Sequence, residues 1–234
     1  MTYMQFNELN QNYKNSIMLW LLTLTVMVFL IIIIGGLTRL TDSGLSMVDW
    51  RPILGTLPPF NNNQWLDVFN DYKLTPEFLY VNKNMTLEEF KYIFWWEWFH
   101  RFFARLIGLV FIIPFLYFLV KKNLNSFFYK RFLIIFSLGI LQALVGWWMV
   151  KSGLSEDPYV SPYRLTFHLT NAVIIYALLL WTTIEYYHSK SANFISFRTK
   201  KDLILISIIL VFITILSGGF MAGSHAGQSF NTYP

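Results

Sequence analysis

The stretch "WWEWFHRFFARLIGLVFIIPFLYFLV", Trp95 to Val120, decides how the chain is read. From Leu106 to Val120 it carries no charge, as a segment crossing a hydrocarbon core of about 30 Å requires. Its first third instead holds Glu97, His100, Arg101 and Arg105, groups that lipid penalises heavily. Ionisable residues at the mouth of a span call for partners or for a function.

The rest of the chain has the same apolar character. Its 234 residues are 55% hydrophobic and 13% charged, with 23 Phe and 9 Trp. No soluble domain of this length shows such a composition. Four other stretches are long enough to span, near Ser16 to Leu37, Phe132 to Val150, Leu165 to Ile184 and Leu203 to Phe220. The fold class is therefore an all-α integral membrane protein with five transmembrane helices. Cysteine is absent, which excludes disulfides, thiolate catalysis and cysteine-ligated metals. The net charge of +5 comes from short clusters between apolar runs, so topology explains it and nucleic-acid binding is not expected.

Lysine and arginine counts orient the helices. The loop with Lys121, Lys122, Lys130 and Arg131 has no acid, and the loop with Lys190, Arg198, Lys200 and Lys201 is also basic, so both are expected on the cytoplasmic side. The long loop 38–94 has seven acids against five bases, and the third loop balances Lys151 and Arg164 against Glu156 and Asp157, so both are expected outside. The N-terminus then lies inside, and residues 1–15 form a cytoplasmic tail that resembles neither a transit peptide nor a cleaved signal. The expected setting is a bacterial plasma membrane, or a mitochondrial inner membrane if the gene is organellar.

An internal echo suggests how the helices group. "GGLTRLTDSGLSMVDWRP" from Gly35 and "GGFMAGSHAGQSFNTYP" from Gly218 align at one fixed offset. That offset matches Gly35, Gly36 and Gly44 to Gly218, Gly219 and Gly227, Ser46 to Ser229, Trp50 to Tyr233, and Asp42 to His225, the kind of self-similarity that duplicated membrane units leave. Residues 16–184 then form one complete four-helix bundle with its long outer loop 38–94. Residues 185–202 are a cytoplasmic loop, and residues 203–234 open a second unit. This reading expects about three more helices beyond Pro234, eight in all; a natural five-helix protein with a chance echo is the competing reading.

Of the four histidines, His188 falls in a basic loop and His225 just beyond the fifth span. His100 and His168 fall within spans that run in the same direction. His100 precedes Lys121 by roughly 32 Å of ideal helix and His168 precedes Glu185 by roughly 26 Å, which is one depth to within about a turn. Ala104 and Gly108 follow His100 on its stripe, and Asn171 and Ala172 follow His168, leaving space for a flat ring. A heme iron with an imidazole on each face suits such a pair; hydrogen bonding of each histidine at the membrane surface is the bland alternative. Glu97 and Arg101 have the i,i+4 spacing of an ion pair, and Arg105 continues that side one turn deeper. Arginines here suit porphyrin propionates, or simply Glu97 and lipid headgroups. Thr86 and Glu89 form a capping-box pattern that starts a helix near Leu87, and Trp95, Trp96 and Trp98 read as an interfacial belt.

Taken together with "LQALVGWWMVKSGL" (Leu141 to Leu154) and "PYRLTFHLTNA" (Pro162 to Ala172), these segments resemble the heme A synthase family of mitochondrial type over nearly the whole chain. The resemblance implies eight helices in two four-helix bundles and oxidation of a methyl group of heme O to the formyl group of heme A, by hydroxylation, for cytochrome oxidase. By match to the family motif, Glu97 is the carboxylate important for activity and His100 with His168 is the N-terminal pair, at the side where heme O is bound. A heme b cofactor is implied in the C-terminal half, whose histidine pair this chain lacks, so the chain alone is expected to be inactive. Partners implied are heme O, heme A, the bilayer, heme O synthase and the oxidase assembly machinery, with homo-oligomerisation open. A bis-histidine cytochrome b exchanging electrons with quinone, and a non-catalytic heme-delivery factor, share the histidine pair.

Overall fold

The computed structural model describes residues 11–49, 56–124, 126–155, 157–188 and 201–229, and these contain helices and loops without a strand. Trp50, Glu156, Lys190, Arg198, Lys200, Tyr233 and Pro234, used above for topology or for the repeat, lie outside them. The elements are α1 (Gln11–Leu40), α2 (Asn62–Lys73), α3 (Pro76–Tyr80), α4 (Leu87–Val120), α5 (Ser126–Gly153), α6 (Pro162–His188), α7 (Lys201–Gly223) and α8 (Ala226–Ser229). Five of them, α1, α4, α5, α6 and α7, are long and apolar enough to cross a membrane.

The predicted start of α4 is correct in its chemistry as well as its place. The Thr86 hydroxyl accepts from the Glu89 amide while the Glu89 carboxylate accepts from the Thr86 amide, so two otherwise orphaned donors are satisfied. Helix α4 then continues for 34 residues. At 1.5 Å per residue it is ~51 Å long, well over a hydrocarbon core of about 30 Å. Its first turns therefore stand clear of the apolar slab. There they meet α2 and α3, which the sequence reading left as loop. Trp65, Phe69 and Tyr72 of α2 pack with Phe90, Ile93 and Phe94 of α4 and with Met47 into a second hydrophobic core. We call this the capped end of the bundle.

Packing of the long helices is uneven. Helix α6 is central, flanked by α1, α5 and α7, and α1 also packs on α4, whereas α4 and α5 touch sparsely. Where they do touch, the contacts are aromatic and at the end away from the cap. Phe111 stacks on Phe136 at 5.9 Å, and Phe115 meets Phe132 edge-on at 6.2 Å, both within the range of favourable ring pairs. Trp20 of α1 locks this end by inserting between Phe111, Phe118 and Phe132 and donating from its indole nitrogen to the Val110 carbonyl. The buried core residues of α4 and α5 in this cluster, Phe111 to Phe118 and Phe128 to Ile135, all lie in those far halves. Neither buried cluster joins the halves of α4 and α5 nearer the cap.

The repeat has a backbone counterpart. Asp42 and His225, equivalent in the sequence echo, both take left-handed φ, 47° and 53°, just past the ends of α1 and α7. Asp42 closes a Schellman motif, with its amide bonded to the Arg39 carbonyl and the Ser43 amide to Thr38. Arg39 joins the ends of α1 and α7, donating to Asp42, to the Ala222 carbonyl and to His225. His225, which the sequence reading left without a role, thus belongs to this junction and stacks at 4.5 Å on Tyr159. Burial and the neighbouring Arg39 hold its imidazole below the ordinary value.

The cap contains a second buried carboxyl. Glu77 of α3 is 6% exposed and accepts from the Tyr72 hydroxyl, which in turn accepts from the Asn82 amide. Burial pushes the Glu77 carboxyl up to about 8. A folded-state value above the unfolded one means that the folded cap holds the extra proton. Its contribution is therefore full below the unfolded value and is lost as pH rises through about 8. Hydrogen exchange of residues 62–85 should therefore quicken between pH 6 and pH 9 beyond the intrinsic base-catalysed rate, and Glu77→Gln should flatten that excess. Equal excess exchange in both proteins across this range would refute the assignment.

Candidate functional site

Glu97 lies on the third turn of α4, where the cap meets the bundle, and is 2% exposed. A carboxylate removed from water needs compensating donors, and it has three. Its Oε2 accepts from the Ser46 hydroxyl at 2.7 Å and from the Met47 amide at 2.8 Å, and its Oε1 accepts from the Arg101 guanidinium at 2.5 Å. Arg101 also donates to the Met47 carbonyl at 3.2 Å. The expected i,i+4 ion pair is present, and it does more than neutralise charge: its two members hold the amide and the carbonyl of Met47, pinning the loop after α1 onto α4. Nearby, Leu45 presses on α5 so closely that a Cβ at Gly153 would lie 2.7 Å from its side chain. The loop is thereby clamped between α4 and α5.

His100 lies one turn further into α4, partly buried, with Gly35 of α1 against it; a Cβ there would approach Nε2 to 3.4 Å. His168, near the start of α6, faces Gly146 of α5 more tightly, since a Cβ at that position would lie 2.9 Å from Cε1, closer than packed atoms tolerate. The two imidazoles are near enough to interact electrostatically. Both are at the capped end, as their matched depth in sequence implied. The small residues that matter most differ from those expected: Gly35 and Gly146 on partner helices touch the rings. Ala104 and Gly108 are both exposed, and a Cβ at Gly108 would meet nothing within 4 Å. They border open space beside α4.

Asn171 is buried, with its amide nitrogen donating to the Leu138 carbonyl at 3.1 Å and to the Gln142 side-chain oxygen at 2.8 Å. Gln142 reaches on to His168, with its amide nitrogen 3.2 Å from both Nε2 and the main-chain oxygen. The Nδ1 atom of His168 is buried without a hydrogen-bond partner among the described residues. Ala172 is partly buried beside Asn171. Arg105, partly buried, follows Arg101 one turn deeper. Sequence reasoning missed Gln142, Gly146 and the Met47 backbone. A lone amide in the middle of an otherwise apolar span was the signal for Gln142. Among the described residues no cluster of three or more His, Cys, Asp or Glu could hold a bare metal ion. A pair of imidazoles on α4 and α6 at one end of the bundle, each against a glycine of a neighbouring helix, fits an iron already held by a porphyrin.

Glu97→Gln should be costly, because it turns an acceptor into a donor facing Ser46 and Met47 and leaves Arg101 without its counter-charge. We expect a loss of roughly 3 kcal/mol, the scale for breaking a buried ion pair, measurable as a lowered midpoint of thermal unfolding in detergent. Gly146→Ala should leave that midpoint within a few degrees while displacing the His168 ring, which loss of any heme absorbance dependent on that ring would report.

Comparison with known proteins gives the family of the chain. The family model described as "Cytochrome oxidase assembly protein" matches residues 18–234. Proteins named heme A synthase are similar along most of the chain. The one from Nitrosomonas eutropha (strain DSM 101675 / C91 / Nm57) is 47% identical over 231 residues, 97% of this chain and 65% of the relative. That from Nitrosospira multiformis (strain ATCC 25196 / NCIMB 11849 / C 71) is 48% identical over 94% of this chain and 63% of the relative. That from Flavobacterium psychrophilum (strain ATCC 49511 / DSM 21280 / CIP 103535 / JIP02/86) is 42% identical over 94% and 65%. The chain thus spans slightly less than two thirds of the length of these curated relatives, and no solved structure matches it. With a family match over nearly its whole length and five membrane-spanning helices, the chain belongs to the cytochrome oxidase assembly protein family and is a multi-pass membrane protein.

Proposed function

We propose that this chain forms the substrate-heme half of a heme A synthase, in which His100 and His168 take the iron of heme O from opposite faces while a ring methyl is oxidised, through hydroxylation, to the formyl group of heme A. The observation that carries this reading is the pair of imidazoles at one end of the bundle, each seated against a glycine of a neighbouring helix, where no buried cluster joins α4 to α5. Bound heme O would supply the iron and the conjugated ring that make its methyl group oxidisable.

The chain's own residues divide the remaining work. Gly35 and Gly146 let neighbouring backbone approach the imidazoles and fix their planes. Open space beside Ala104 and Gly108 admits the macrocycle edge. Arg105 lies one turn deeper than Arg101 on the side of α4 that carries Glu97 and suits a propionate. Arg101 is committed to Glu97 and Met47, so its role toward the substrate is indirect. Asn171 likewise acts through Gln142. Glu97 is assigned as the carboxylate of the reaction at the rim of this site. Its place between Ser46, Met47 and Arg101 lets it hold the loop after α1 over the histidine pair.

The same reading sets the capped end outside a bacterial plasma membrane, or outside the inner membrane of a mitochondrion, and the N-terminus inside. It places heme b in the second repeat unit. Among the described residues His188 ends α6 and His225 follows α7 at the opposite end, so they form no second pair and offer heme b no seat. Contact with heme O synthase and with the oxidase assembly machinery belongs to the same proposal, as does release of heme A to them.

The test is product analysis. The full-length gene is expressed in a host that makes heme O, and extracted hemes are separated by chromatography. Heme A or its hydroxylated precursor should appear and should fall at least 100-fold with His100→Ala or His168→Ala. Unchanged heme O in cells holding the folded protein would contradict the reading and favour a cytochrome that only passes electrons.

A further inference from the structure

The amide chain behind His168 fixes where that ring carries its proton. Asn171 offers only hydrogen atoms from its side-chain nitrogen, and it spends them on the Leu138 carbonyl and on Gln142. The atom of Gln142 that meets Asn171 must therefore be its oxygen. Its nitrogen is then turned to His168, within 3.2 Å of the main-chain oxygen and of ring Nε2. A main-chain oxygen can only accept, so the amide cannot be reversed: the opposite orientation would set oxygen against oxygen at one end and nitrogen against nitrogen at the other. Both hydrogens of the Gln142 amide are donated to His168, and Nε2 receives one of them. An atom that accepts a hydrogen bond in a neutral imidazole carries the lone pair, and the proton sits on the other nitrogen.

We infer that Gln142, oriented by Asn171, is a positioning residue that holds His168 with its proton on Nδ1 and its lone pair on Nε2, and occupies by its amide N–H the place that the iron of the substrate heme takes. This rests on the heme reading of the site. A ligand nitrogen must be unprotonated to bind iron, and a group that selects the tautomer removes a proton transfer from the binding step. When iron takes the lone pair, the amide loses one bond and keeps two, to Asn171 and to the His168 carbonyl, so a small rotation suffices. A Cβ at Gly146 would lie 3.4 Å from Nδ1 and 3.7 Å from Nε2, so the glycine leaves room along this edge of the ring, and Nε2 is the nitrogen that already meets a polar group.

The test reads the proton directly. The full chain, labelled with 15N-histidine and reconstituted without heme in lipid bilayers, is examined by solid-state NMR, with the His168 signals identified by their loss in His168→Ala. The wild-type ring should show its proton on Nδ1. Gln142→Leu should give a mixture of tautomers, and Gln142→Glu, which presents an acceptor of nearly the same size, should move the proton to Nε2. Heme titration of the same samples should show affinity falling about tenfold or more in both variants, the scale for lost partners of a metal ligand. A wild-type ring protonated on Nε2, or a tautomer unaltered in both variants, overturns the proposal. If the tautomers behave as stated but His168→Ala leaves heme affinity unchanged, the heme reading and the iron-holding part of the proposal fall together, while the proton assignment stands.

Discussion

The buried carboxylate of Glu97 is the constraint on which the rest of the capped end depends. An ionised group at the edge of a hydrocarbon slab is tolerable only if donors surround it, and the donors come from two directions. Arg101 comes from its own helix, and Ser46 and Met47 come from the loop after α1. Satisfying the charge therefore ties α1 to α4 at the level where His100 enters the bundle. The same loop rests on α5 through Leu45, so a single electrostatic requirement sets the spacing of three helices around the histidines. A well-packed apolar residue at position 97 would avoid the desolvation penalty altogether. The carboxylate is better explained by what it holds in place, and by the chemistry proposed at the rim, than by stability.

The two ends of the bundle are built on opposite principles. Away from the cap, rings of α1, α4 and α5 interlock around Trp20 and Phe132 and leave no slot. Toward the cap the contacts between α4 and α5 thin out, and glycines replace large side chains beside the imidazoles. One end thus supplies rigidity while the other keeps room. Asp42 and His225 share a left-handed backbone turn just past α1 and α7, and Arg39 at the end of α1 reaches His225 and the last turn of α7.

How much of this was legible in the sequence follows from the range of each interaction. The five spans, the capping box at Thr86 and the Glu97–Arg101 pair are local, set by periodicity and i,i+4 spacing, and they are where they were expected. The matched depth of His100 and His168 needed only helix rise and loop charge. What stayed hidden depends on partners far apart in sequence: Met47 on Glu97, Gly35 on His100, Gly146 on His168, Gln142 with Asn171. The small residues below His100 were read along its own helix, whereas the glycines that touch the rings belong to neighbouring helices. Helices α2 and α3 were missed because they are short and amphipathic, and their apolar faces make sense only against α4.

The central claim is that His100 and His168 face one iron. Electron paramagnetic resonance of the chain loaded with ferric heme tests it most directly. The account predicts a low-spin signal of the bis-imidazole type that converts to high spin in His100→Ala and, separately, in His168→Ala. A low-spin signal that survives either substitution, or a high-spin signal in the unaltered chain, would contradict it.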